Sequence, residues 1–97
     1  MSIKIDWYKL AWKYGFREPS QLFTDMRQKG MSYEDMAYEL NCARFMVRYK
    51  CYELLALGKL KPEDIKMKPE MADHIIRNMN KSYPYLARKL RHLGRKL

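Results

Sequence analysis

Two arginines four residues apart, Arg44 and Arg48, carry the clearest chemistry in this chain. Residues at that spacing share one helical face. A guanidinium there offers a planar fork of donors suited to guanine edges or phosphate oxygens. From Asn41 to Tyr52 the charged residues are Arg44, Arg48 and Lys50, with no acid among them. On the same segment stand Phe45, Tyr49 and Tyr52; the rings of Phe45 and Tyr49 suit thymine methyls, and the tyrosine hydroxyls suit phosphates. This stripe is too apolar for a face that meets only solvent. It serves either as a contact surface or as core beneath Trp7, Trp12 or the C-terminal helices.

Other chemistry is thin. Cys42 and Cys51 are nine residues apart, and His74 and His92 lie far from each other, so no spacing suggests a zinc site and no metal is expected. The thiols read as buried and reduced, as in a cytosolic protein. No carboxylate pair sits in an apolar setting, no glycine-rich phosphate loop occurs, and no serine or cysteine has a histidine at a telling distance. Cys51 beside Lys50 reads as packing rather than as an activated nucleophile. Neither an enzyme nor a cofactor is expected.

The 97 residues are 47% apolar and 13% aromatic, enough for one small domain with a core of its own. Net charge is +9, unevenly spread: residues 1–48 hold eight basic and six acidic side chains, residues 49–97 twelve and five. After Asp73 no acid follows, while Arg77, Lys81, Arg88, Lys89, Arg91, Arg95 and Lys96 do. Such a block attracts polyanions. The N-terminus lacks the apolar run of a signal peptide, and no 18-residue apolar segment occurs. A soluble, cytoplasmic protein without a membrane partner is the expectation.

The elements that must position the arginines are punctuated clearly. Asp6 caps a first helix, roughly 7–14, with Trp7, Leu10, Ala11 and Tyr14 on one face and Gly15 beyond its end. Pro19 opens a second, with Leu22, Phe23 and Met26 at three-four spacing and Gly30 closing it. Ser32 caps a third, Asp35 completing a variant capping box. A fourth runs from near Ala43 to Leu57, stopped by Gly58. The segment 59–68 reads as a linker with a helical turn at 62–65. Two further helices are expected at about 70–79 and 83–93, the latter capped by Ser82. No run alternates with period two for long, so the class is all-α, with about six short helices.

The stretch from Ser32 to Leu54 then has a familiar plan: a short acidic helix, a tight turn and a longer basic helix. Ala37 is small where the two helices cross, Met36 and Leu40 pack beside it, Asn41 tolerates a left-handed turn, and Val47 anchors the second helix. Over Tyr33–Tyr52 the chain resembles the helix-turn-helix superfamily of DNA-binding domains. With the helix from Pro19 in front, it resembles the trihelical, homeodomain-like version found in bacterial and phage regulators. One departure stands out: Lys50 occupies a position that the family usually keeps apolar, leaving Cys51 and Leu54 to carry the inner face.

The resemblance implies sequence-specific binding to double-stranded DNA, with the second helix turned to the major groove. Arg44, Phe45, Arg48, Tyr49 and Tyr52 would then meet bases. Lys29, Ser32 at its helix N-terminus, Lys50, Arg88, Lys89, Arg91 and Arg95 would meet the backbone. The acids Glu34, Asp35 and Glu39 on the bracing helix agree, because an acidic element is repelled by DNA. Alternatives are a DNA-binding module of a larger transposase, recombinase or terminase, or a module that binds protein or RNA. A homodimer is compatible with the sequence, but no dimer helix indicates one.

The chain also aligns with itself at an offset of 50, with six identities across 29 positions. These include Pro19 with Pro69, Ser32-Tyr33 with Ser82-Tyr83, and Leu40 with Leu90. The organisation is therefore read as 1–58 with the helix-turn-helix unit, 59–68 as linker and 69–97 as a basic helical pair. That pair would be a partial second copy packed into the same domain.

Overall fold

A computed structural model describes residues 5–83 as an all-helical chain. Helices α1 (Trp7–Lys13), α2 (Pro19–Gln28), α3 (Tyr33–Leu40) and α4 (Arg44–Ala56) follow in order, then a 3-10 turn at Pro62–Ile65 and α5 (Pro69–Ser82). No strand occurs among the described residues.

The boundaries of the first three helices have local causes. The Asp6 carboxylate accepts from the Lys9 amide at 3.1 Å and starts α1. Pro19 sits in the first turn of α2, where the amides of Arg17 and Glu18 both donate to Gln21 Oε1. At α3, Ser32 Oγ accepts from the Asp35 amide at 3.0 Å, and Asp35 Oδ2 accepts from the Ser32 amide at 3.1 Å. This reciprocal box satisfies two of the donors that a helix start leaves open. Ser32→Ala should therefore cost about 1 kcal/mol of stability in urea unfolding. An unchanged midpoint would mean that the box contributes nothing.

Asn41 turns the chain between α3 and α4 in the left-handed conformation, φ 58° and ψ 52°. Its amide side chain makes that region less costly than it is for most residues. Gly58, with φ 76°, performs the same role after α4.

The core gathers where α1, α2, α3, α4 and the 3-10 turn meet. Ala11, Leu22, Phe23, Met36, Val47, Cys51 and Ile65 are all essentially inaccessible to water. The Trp7 ring meets Phe23 edge-on at 5.5 Å between centroids, so α1 closes over α2. The segment read as a linker also takes part: Leu60 and Ile65 are core residues, and Gln28 donates from α2 to the carbonyls of Glu63 and Asp64. Arg27 ties the same corner together. Its guanidinium donates to the carbonyls of Met31 (2.6 Å) and Ile65 (3.4 Å) and lies 5.0 Å from the Tyr33 ring centre.

One expected boundary moves. Residues 80–82 continue α5 instead of ending it, and Ser82 lies inside the helix rather than capping a new one. The first copy of the supposed repeat breaks at Gly30 with φ +87°, whereas Asn80 and Lys81 stand at the corresponding positions and neither requires a break. The two segments thus differ in structure where the alignment matched Ser32 with Ser82. The helix expected at 83–93 lies outside the described residues apart from Tyr83, which is not helical.

Candidate functional site

Helix α4 is the centre of the molecule, and its faces have distinct tasks. Val47, Cys51, Leu54 and Leu55 point into the core, with Met36, Ala37 and Leu40 of α3 packed in the same cluster. The Tyr33 hydroxyl and the Cys51 thiol lie 3.6 Å apart, and the Tyr33 ring meets Tyr52 edge-on at 6.5 Å. Burial raises the pKa of both groups in the Tyr33–Cys51 pair and that of the Cys42 thiol. None of these thiols is thereby activated.

The first turn of α4 is open. Arg44 and Arg48 are exposed, and Phe45 leaves 64% of its surface accessible. Ala43 occupies the N-cap and supplies no side-chain acceptor, and no acid stands in the first turn. No side chain caps the leading amides of α4, unlike those of α3; the amides of Met46 and Val47 donate to the Ala43 carbonyl at 3.1 and 3.4 Å, which leaves those of Arg44 and Phe45 at the helix start. A helix start in this condition attracts anions, because free N–H groups and the positive end of the helix dipole coincide. This feature escaped the sequence reading, although its signal was present: alanine stands where a serine or aspartate cap would be usual.

Tyr49 and Tyr52 are placed differently from Phe45. Both are half-buried where α5 lies on α4, around a small second cluster of Ala56, Leu57 and Met79. The Tyr49 ring meets Tyr83 edge-on at 5.6 Å. The stripe thus divides, with Phe45 outward and Tyr52 held in a seam between helices. Only the first of the two alternatives open in the sequence suits Phe45, and the second suits Tyr52. A role for Tyr52 at a base edge does not fit this placement.

The residues expected at a DNA backbone do not converge either. Lys50 Nζ pairs with Glu53 Oε1 at 2.9 Å, and both side chains are largely covered. At about 100° per residue, Lys50 lies at least about 120° round α4 from either arginine. It borders instead a cavity of about 240 Å³ against Tyr8, Glu18, Leu57 and Lys59. Lys50 accordingly has a carboxylate partner and does not share the arginines' face.

Lys29 is exposed and pairs with Asp25 at 3.0 Å. The Ser32 hydroxyl and the α3 start are engaged by the capping box, and Glu34 and Asp35 stand in the first turn. A phosphate is unwelcome at that helix start on both counts. Arg88, Lys89, Arg91 and Arg95 lie outside the described residues. What the fold brings together is a smaller set than the sequence suggested: Arg44, Phe45, Arg48 and the uncapped amides of Arg44 and Phe45.

Among the described residues, no cluster of three or more His, Cys, Asp or Glu could hold a metal ion, and no helix is long and apolar enough to cross a membrane. Comparison with family models, curated proteins and solved structures finds no match to this chain.

Proposed function

We propose that the chain is a non-enzymatic DNA-binding protein of the small-regulator type, with α3 and α4 working as a helix-turn-helix and the start of α4 meeting the duplex. The observation that carries this reading is the first turn of α4. Exposed Arg44 and uncapped amides coincide there, exposed Arg48 follows one turn on, and no acid lies nearby on that helix. The acidic side chains Glu34 and Asp35 lie on the bracing helix, and Glu39 on the same helix receives the Tyr14 hydroxyl at 3.1 Å. This segregation favours approach by α4 over approach by α3. The basic side chains beyond Asp73 add a diffuse attraction for the backbone.

Random-sequence duplex DNA should bind at low salt and dissociate as salt rises, each phosphate contact contributing about −0.9 to the slope of log affinity against log salt. On this reading Lys89→Ala weakens all sequences alike and reduces the slope by about 1. A mobility-shift titration across salt concentrations reads both effects.

A second reading is favoured by Tyr38, which leaves 90% of its surface exposed on the acidic helix, and by Trp12 at 61% on α1. Aromatic side chains of that kind suit a protein interface. A chain that ignores duplex at low salt but forms a stable complex with itself or another protein belongs to this second class.

A further inference from the structure

Beside the two arginines lies a groove of about 410 Å³ lined by Ile5, Trp7, Phe45, Met46, Tyr49 and Tyr83. Four of these six residues are aromatic. The Phe45 ring forms its exposed wall, while Tyr49 and Tyr83 meet edge-on within it. On α4 the arginines occupy the face adjoining Phe45, since Arg44 precedes it by one residue and Arg48 follows by three. The uncapped amides open at the same end of the helix. An apolar, aromatic slot is thus joined directly to a cationic, anion-receptive edge.

Resting on the DNA-binding reading above, we propose that this groove receives one unpaired nucleobase of a DNA strand, while Arg44 and Arg48 hold the adjoining phosphates. Charge complementarity selects the occupant. A strand segment joins a flat π-face to a phosphodiester at short range, and stacking on aromatic side chains with arginine at the backbone is how single strands are commonly held. A base within an intact duplex shows a protein only its edge. Moreover, α5 packs on Tyr49 and Tyr52, so α4 presents little beyond its opening turns to a duplex groove. The slot beside those turns suits a base already out of the stack.

The test compares a short duplex with the same duplex carrying one looped-out thymine, by fluorescence anisotropy at one salt concentration. The looped-out substrate should bind about ten-fold tighter. Phe45→Ala should bring that ratio close to one, and circular dichroism should report an intact fold because the side chain is exposed. With 2-aminopurine as the looped-out base, binding by the unaltered protein should change its fluorescence, and binding by Phe45→Ala should not. A ratio near one for the unaltered protein, or a ratio that survives Phe45→Ala, overturns this inference and leaves the DNA-binding reading standing. A single-stranded RNA bound in preference to the looped-out DNA overturns it as well. Absence of any duplex binding at low salt overturns both.

Discussion

Phe23→Ala should lower the unfolding free energy by about 3–5 kcal/mol, as large truncations in a packed core do. The side chain is fully buried on α2 and takes the edge of Trp7 at 5.5 Å. Leu22, Met26 and Ala11 belong to the same cluster, and so do Val47 of α4 and Ile65 of the 3-10 turn. Removing the ring forfeits its transfer from water and leaves a cavity bounded by several separate elements, which cannot all collapse at once. A chain of this size has about 5–15 kcal/mol of total stability, so the variant would sit near the edge of folding. The midpoint of thermal unfolding should drop by roughly 15–30 °C. Exposed Phe45 supplies the contrast, because Phe45→Ala should change stability by no more than about 0.5 kcal/mol. Equal effects from the two substitutions would mean that α2 does not lie in the core.

The difference between these two phenylalanines shows what is legible in the chain and what is not. Phe23 lies in a three-four pattern with Leu22 and Met26 behind a helix-opening proline, and local chemistry alone marks it as inward. Asp6, Ser32 and Asn41 are readable in the same way, because a cap or a left-handed turn is decided within three or four residues. The Asn41 conformation and the reciprocal Ser32–Asp35 bonds follow that expectation. The stripe Phe45, Tyr49, Tyr52 has no such local answer. Its exposure depends on where α5 lands, well downstream and beyond the 3-10 turn. Contacts of that kind leave little trace in a window of sequence.

Lys50 is an intermediate case. Reading it as a backbone contact followed its charge and its neighbours, whereas Glu53 three residues on already offered an ion-pair partner on the same helical face. The pair also explains how a charged side chain occupies a position beside the inward Cys51 and Leu54. Lys50 is largely covered with its ammonium at 2.9 Å from a carboxylate, so the charge is not left alone in the interior. The segment 59–68 is hard to place from sequence for a different reason. One proline and four lysines between positions 59 and 68 look like solvated chain, yet Leu60 and Ile65 among them are buried. Two apolar anchors suffice to dock a short segment, and composition averages them away.

Arg44→Ala combined with Arg48→Ala should weaken duplex binding at low salt by about 100-fold and flatten the salt slope by about 2. Both guanidinium groups are exposed at the start of α4, one turn apart, so neither replacement disturbs the core. Changes in thermal midpoint should accordingly stay small, and the loss can be assigned to the interface. The single variants separate the roles. Where an arginine grips a phosphate through both donors, lysine keeps the charge but loses the fork. Arg48→Lys should therefore preserve the salt slope while weakening binding to all duplexes alike, by less than Arg48→Ala does. Lys50→Ala is the internal control, since its ammonium is paired with Glu53 on another face of α4. That substitution should alter stability and leave the salt slope unchanged. If Lys50→Ala flattened the slope as strongly as Arg44→Ala, the cationic edge would have to be moved round α4. The groove beside Phe45 would then lose the phosphate contacts that make it a place for a base.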